Sequence, residues 1–413
     1  MRALLAAAAL VLTINAAHAE PIPAPHYQIE LALDVVAHAL EADVALRLPP
    51  HDSDQPETFL LGAPYAIVES SAAPGVSIVV APGPGPGAPQ TITVAREPRR
   101  RGEAITVRLR YSGPLMETAG VNAIEPDRIE LSADALWYPL STNFNTRVGF
   151  DADIRGAPRD LIFVSPDRVR RSHGLYHIHR DIPSQDIAFH AAADLHRQNL
   201  GRLHLYARDL NAPQVRNYAQ NGPRALAFLE SMLGPCPRSN LAVVVADRAS
   251  GVGYSRPGYV VVANVTRQIA SDDYWVIAGY IAHELSHAWW SNANFTTEDY
   301  WLVESTAEYV ALRFIEAIYG ADARTRLLNS KETRAARGGA LIGNGRASDD
   351  AVYARGPILL VQLEQQIGRP ALDEILRTLA QRDAITTADF LASLAAHENA
   401  ALAQQFEEQL RAP

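Results

Sequence analysis

The chain has 413 residues, of which 48% are hydrophobic and 20% charged, and its formal net charge is −9. That balance leaves room for two folded domains of roughly 100 to 200 residues each, and it excludes both a disordered chain and a nucleic-acid partner, which needs a basic face. Cys236 is the only cysteine; an intramolecular disulfide and a thiolate-rich metal site are therefore excluded, and any metal must be held by His and carboxylate.

In chain order, Arg2 precedes an apolar run from Ala3 to Ile14 and then Ala17-His18-Ala19, the arrangement of a cleavable secretory signal. Residues 1–19 are expected to be removed, so that the mature protein begins at Glu20 and is exported, periplasmic or secreted. The run falls short of the ~20 residues of a membrane span, and no integral membrane segment is expected after signal removal. From Tyr27 to about Tyr206, runs such as "YQIELAL", "VALRL", "ITVRLRY" and "LHLY" alternate apolar and polar residues with the period of half-buried strands. "APGPGPGAP" (Ala81 to Pro89) reads as a loop and "REPRRR" (Arg96 to Arg101) as a solvated turn. Residues 20–207 are expected to form an antiparallel β-sandwich or saddle. His177 and His179 in "YHIHR" occupy alternate positions of one strand and are read as structural.

Helical spacing then takes over, through "VRNYAQNGPRALAFLESMLG" and, after the buried strand "LAVVVAD", from Asp272 onward. Residues 208–413 are expected to form a second, mainly helical domain, which makes the fold class α+β. Its tail from Thr387 to Arg411 reads as two packed helices, the first capped by Thr387.

The segment "DDYWVIAGYIAHELSHAWW" is long enough for a helix with Asp272 or Asp273 near its start and Val276, Ile277, Tyr280, Ile281 and Leu285 on apolar sides. His283 and His287, four apart, share one stripe and can share one ion; Glu284, about 100 degrees round the helix, can take a proton from an attacking water. Catalytic zinc takes three protein ligands and keeps one open position. Downstream, "EDYWLVESTAEYVALRF" reads as an amphipathic helix carrying Glu304 and Glu308 on one face. Glu304 is the expected third ligand of a single zinc ion, and Glu308 the partner that orients His283 or His287 through a ring N–H.

At these residues the chain resembles the thermolysin-like zinc aminopeptidases, the family of alanyl aminopeptidase and leukotriene hydrolase. "DYWLVESTA" resembles the family's D-x-W-L-N-E-G-F-A stretch at Asp299, Trp301, Leu302, Glu304 and Ala307, with Val303 and Ser305 in place of Asn and Gly. Sixteen residues separate His287 from Glu304, two fewer than in the family. "VYARGPILLVQLEQQIG" is similar to the family's Y-E-K-G segment at Tyr353 and Gly356, which implies that Tyr353 donates to the oxyanion. "ALAFLESMLGPCP", "ALWYPL" and the opening hairpin extend the resemblance over nearly the whole mature chain, without the family's large C-terminal helical domain. The family's Gly-Ala-Met-Glu-Asn segment, whose Glu holds the substrate amine, is matched by "GVGYSRPGY", with Ser255 at the Glu position and Arg256 at the Asn position.

The resemblance implies a zinc metallopeptidase acting on a peptide or protein substrate. Without an amine anchor, internal cleavage or a preference for an anionic group is expected. The rival readings are hydrolysis of a non-peptide bond, and a peptide- or envelope-binding protein whose metal site is vestigial.

Overall fold

The computed structural model describes residues 24–413 apart from 52–54, 101, 117, 119, 249–252 and 264–273. The expected signal, residues 1–19, and the expected helix start at Asp272 or Asp273 lie outside the described residues.

The alternating runs form strands whose inward residues are buried and whose outward residues face solvent, as the period of two requires. Seven strands make the largest sheet, in the order Arg168–Ser172, Leu175–Ser184, Val148–Arg155, His26–Asp34, Ala39–Leu48, Ile105–Pro114, Ala66–Ala72. All neighbours are antiparallel except His26–Asp34 and Val148–Arg155, which run parallel. Register aligns Ala152, Ile29, Val44 and Leu109 across four strands, and this buried row packs in one core with Phe59, Leu61, Ile92 and Val94 of a four-stranded sheet. A third sheet, ordered Ile162–Val164, Phe189–Ala192, Arg128–Leu131, Ala123–Ile124, completes the N-terminal half. Trp137 and Tyr138 of "ALWYPL" are fully buried in its core.

The fourth sheet is mixed and five-stranded: His196–Leu200, Leu203–Ala207, Leu241–Ala246, Tyr259–Ala263, and Tyr254–Arg256 at the edge. Leu241–Ala246 and Tyr259–Ala263 carry no charged or amide side chain because both faces are covered. Val243, Val245, Val260 and Val262 face the helical core, while Val244, Ala246, Tyr259 and Val261 pack on Val121, Val164, Ala188 and Ala192 of the β half. Strands His196–Leu200 and Leu203–Ala207 therefore join, by hydrogen bonding, the sheet on which the helices pack. Alternation marks a strand without saying which sheet it joins.

The α-helices among the described residues are α1 (Pro213–Leu233), between two strands of the fourth sheet, and then α2 (Tyr274–Ser286), α3 (Tyr300–Tyr319), α4 (Ala321–Gly338), α5 (Gly356–Ile367), α6 (Arg369–Ala380), α7 (Thr387–His397) and α8 (Ala400–Arg411). Among the described residues no helix is long and apolar enough to cross a membrane. The tail forms two helices, but the cap of α7 is Thr386, whose side chain accepts from Asp389 N in a capping box. Thr387 instead donates its hydroxyl to Asp299 and receives Trp301 Nε1. One surface reading also changes. Arg96 is no solvated residue: its side chain is buried, pairing with Glu57 and Pro49 O. His177 and His179 meet Asp153 and Asp151 of the neighbouring strand.

Candidate metal centre

α2 is apolar on nearly every side because it is packed on α1 and α3, and Ile277, Ala278, Ile281, Ala282 and Leu285 are buried there. His283 lies in its last turn, and His287 in the turn just beyond Ser286. The following loop is pinned to the α6–α7 connection by Asn292, which donates to Arg382 O and accepts from Ile385 N. Asp299, accepting from Thr387, fixes the entry to α3. This anchoring lets the short loop bring Glu304 opposite the imidazoles.

His283 Nε2 lies 3.3 Å from His287 Nε2 and 3.2 Å from Glu304 Oε2, and His287 Nε2 lies 3.7 Å from Glu304 Oε2. Donor atoms about 2.0–2.1 Å from one tetrahedral zinc stand roughly 3.3 Å apart, close to this triangle. Glu304 Oε2 is buried with no hydrogen bond, a vacancy in its pairing that a cation would fill. Among the described residues this is the one group of three or more His, Cys, Asp or Glu placed to share an ion, with donor atoms all within 4.8 Å. The residues fit zinc in number, chemistry and spacing.

The other ring nitrogens each face an oxygen. His283 Nδ1 lies 3.2 Å from Glu308 Oε1, and His287 Nδ1 lies 3.2 Å from the Trp290 carbonyl, so both rings turn Nε2 toward the shared point. Burial lowers the basicity of His283, but Glu304 and Glu308 outweigh it and hold its pKa well above the ordinary value. His287 is pushed down by burial. Glu308, against the opposing effect of burial, is held down to about 2 by Lys331 and His283. Lys331 Nζ lies 2.5 Å from Glu308 Oε2, while Glu304 Oε2 faces the two imidazoles.

Glu284 is buried; burial, opposed by His283 and reinforced by Glu304 and Glu308, pushes its carboxyl up to about 7. Tyr280, one turn earlier, shares its stripe and donates to it. A Cβ on Gly253 would collide with the Tyr280 hydroxyl and come 3.0 Å from Glu284 Oε1, so glycine is what lets that backbone approach. Tyr353 sits in a π-helical turn, Ala351–Arg355, with its ring 6.0 Å from that of His283 and its phenol 3.3 Å from the Tyr300 hydroxyl and beside Glu304. Burial raises its pKa far above the ordinary tyrosine value, so it is a proton donor at neutral pH.

The structure brings His283, Glu284, His287, Glu304, Glu308 and Tyr353 together. Ser255 and Arg256 lie on the edge strand beside α2, but their side chains are committed. Ser255 Oγ donates to Glu284 O at 2.7 Å. Arg256 Nε lies 2.5 Å from Asp186 and Nη2 3.5 Å from Asp134. The charge that pointed to an anionic substrate is thus already balanced. Sequence reasoning missed Gly253, Tyr300, Ser305 and Lys331; Tyr280, four residues before Glu284, carried a legible signal.

The architecture, a β domain followed by a mainly helical domain, is shared with solved M1 zinc metallopeptidase structures. Native yeast LTA4 hydrolase superposes with a TM-score of 0.75 at 17% identity, over 94% of this chain and 67% of its own. An M1 zinc metallopeptidase from Deinococcus radiodurans gives 0.70 at 17% identity, over 94% of this chain and 93% of its own. Aminopeptidase RNPEPL1 of Mus musculus is 28% identical over 174 residues, 36% of this chain and 21% of that protein; the match spans about a fifth of the mouse protein's length. No protein-family model matches.

Proposed function

We propose that this protein is an exported zinc-dependent peptidase that cleaves peptides without reading a free N-terminus. The observation that carries the hydrolytic part is the donor triangle of His283, His287 and Glu304 with Glu284 and Tyr353 at its rim. Zinc held there supplies Lewis acidity toward the water and the scissile carbonyl. Glu284 accepts the proton of the attacking water as the C–O bond forms and returns it to the amide nitrogen as the C–N bond breaks. Tyr353 donates its phenolic hydrogen to the oxygen on which negative charge develops. Tyr254–Arg256, the edge strand of this sheet among the described residues and tied to α2 through Ser255, would be the strand beside which an extended peptide lies.

The absence of terminal reading follows from charge. No Glu occurs from Val244 to Tyr274, Asp186 and Asp134 are engaged by Arg256, and the buried Glu130 is engaged by Arg248. A substrate ammonium would meet no spare carboxylate along this strand. The test is digestion of a mixed peptide library by zinc-loaded protein, with cuts mapped by mass spectrometry. Internal cuts are expected; stepwise trimming from free N-termini would overturn the reading. N-terminal sequencing of the exported protein is expected to begin at Glu20.

A further inference from the structure

The turn that carries Tyr353 is short of hydrogen-bond donors. Gly356 N–H closes a five-residue step onto Ala351 O. The next residue is Pro357, which has no N–H, so it can serve neither Val352 O, five back, nor Tyr353 O, four back. Both carbonyls are satisfied from other helices: Ser305 Oγ of α3 donates to Val352 O at 2.7 Å, and Lys331 Nζ of α4 donates to Tyr353 O at 2.9 Å. Lys331 is 8% exposed, and an ammonium is seldom so buried unless it is paired. Its partner is Glu308 Oε2 at 2.5 Å, whose other oxygen lies 3.2 Å from His283 Nδ1.

We propose that Lys331 is a positioning residue of this site. One ammonium fixes both the carboxylate that orients a metal-binding imidazole and the backbone of the tyrosine at the opposite rim. Lys331 touches no reacting atom. It acts through Glu308 on His283 and through the turn on the Tyr353 phenol, so it sets the spacing between the two.

Removal of the ammonium has two separable consequences. Glu308 loses its cation and its fixed geometry against His283, which is expected to weaken zinc binding about 10- to 100-fold, the usual effect of losing an outer partner of a ligand. Tyr353 O loses its donor and the turn relaxes, which is expected to lower kcat by roughly 10- to 100-fold with little change in KM. The second effect rests on the peptidase reading; the first does not.

The experiment is Lys331→Met, alone and combined with Tyr353→Phe, with zinc affinity read by chelator competition and kcat and KM on a peptide. A companion variant, Lys331→Met with Glu308→Gln, removes both buried charges and guards against loss of folding. Weaker zinc binding in Lys331→Met is expected, and its kcat loss should largely vanish when Tyr353 is already Phe, because the phenol it positions is gone. Parent-like zinc affinity in Lys331→Met overturns the proposal, as does a kcat loss of equal size in both backgrounds. If the parent binds zinc yet cleaves no peptide, the peptidase reading fails while chelator competition still decides the role of Lys331. A parent that binds no zinc overturns both.

Discussion

Glu284 is buried beside two other carboxylates, so its proton affinity is high enough to take and return a proton near neutrality. Glu284→Gln keeps the shape and leaves the three donors in place. It should retain one zinc per chain by metal analysis while kcat falls by about 10²- to 10⁴-fold, the usual worth of a general base. Tyr353→Phe removes one hydroxyl from the rim and should lower kcat by roughly 10²- to 10³-fold with KM little changed, measured on the same peptide. These residues were legible because their signals are local: imidazoles four apart, a carboxylate one on, and two glutamates four apart on the next helix. Arg256 and Lys331 were not, since each is defined by a partner from a distant segment, Asp186 at 70 residues and Tyr353 at 22. The charge of a side chain is visible in sequence, and its cancellation is not.

At the scale of elements, period-2 and period-3.6 patterns gave the strands and helices but not how they are joined. Pattern does not show that the turn carrying Tyr353 is wound wider than an α-helix, and only the contact with α3 reveals why glycine stands at 356. A Cβ there would overlap the Ser305 side chain. Gly356→Ala should therefore displace the turn and lower kcat by about 100-fold, in keeping with the cost of misplacing a catalytic group. Because the obstruction is a single side chain, adding Ser305→Gly should recover about tenfold of that loss even though the bond to Val352 O is given up. Kinetics of the single and double variants check this; a double variant no better than Gly356→Ala would show that the close approach is not what constrains the turn. The same limit of pattern explains the strands between residues 196 and 207, whose alternation is that of the β domain although they join the sheet of Leu241–Ala246.

Across the whole molecule, the β half and the helical half meet through an apolar face that encloses charge. Glu130 of the third sheet is fully buried, with Arg248 of the helical half at 2.5 Å, Arg128 at 3.3 Å and the His190 ring at 3.4 Å. Nearby, Arg256 of the edge strand reaches Asp186 and Asp134 of the β half, so this interface holds the strand on which a peptide would lie. None of it follows from composition, because buried and exposed glutamates look alike in sequence. Burial alone would raise the Glu130 carboxyl, but His190 and Arg248 outweigh it and leave its pKa below the ordinary 4.5. Glu130→Gln leaves Arg248 buried without this carboxylate, which is expected to cost about 3 kcal/mol. The sign of the pH dependence follows from linkage: a carboxyl with a depressed folded pKa stabilises fully above its unfolded pKa and loses that contribution as pH falls through the folded value. Denaturant unfolding of parent and variant should therefore show the full gap at pH 7, and a gap that narrows as pH drops below 4.5. A gap constant between pH 7 and pH 3 would mean that the loss comes from packing, not from the ionised carboxylate bridging the two halves.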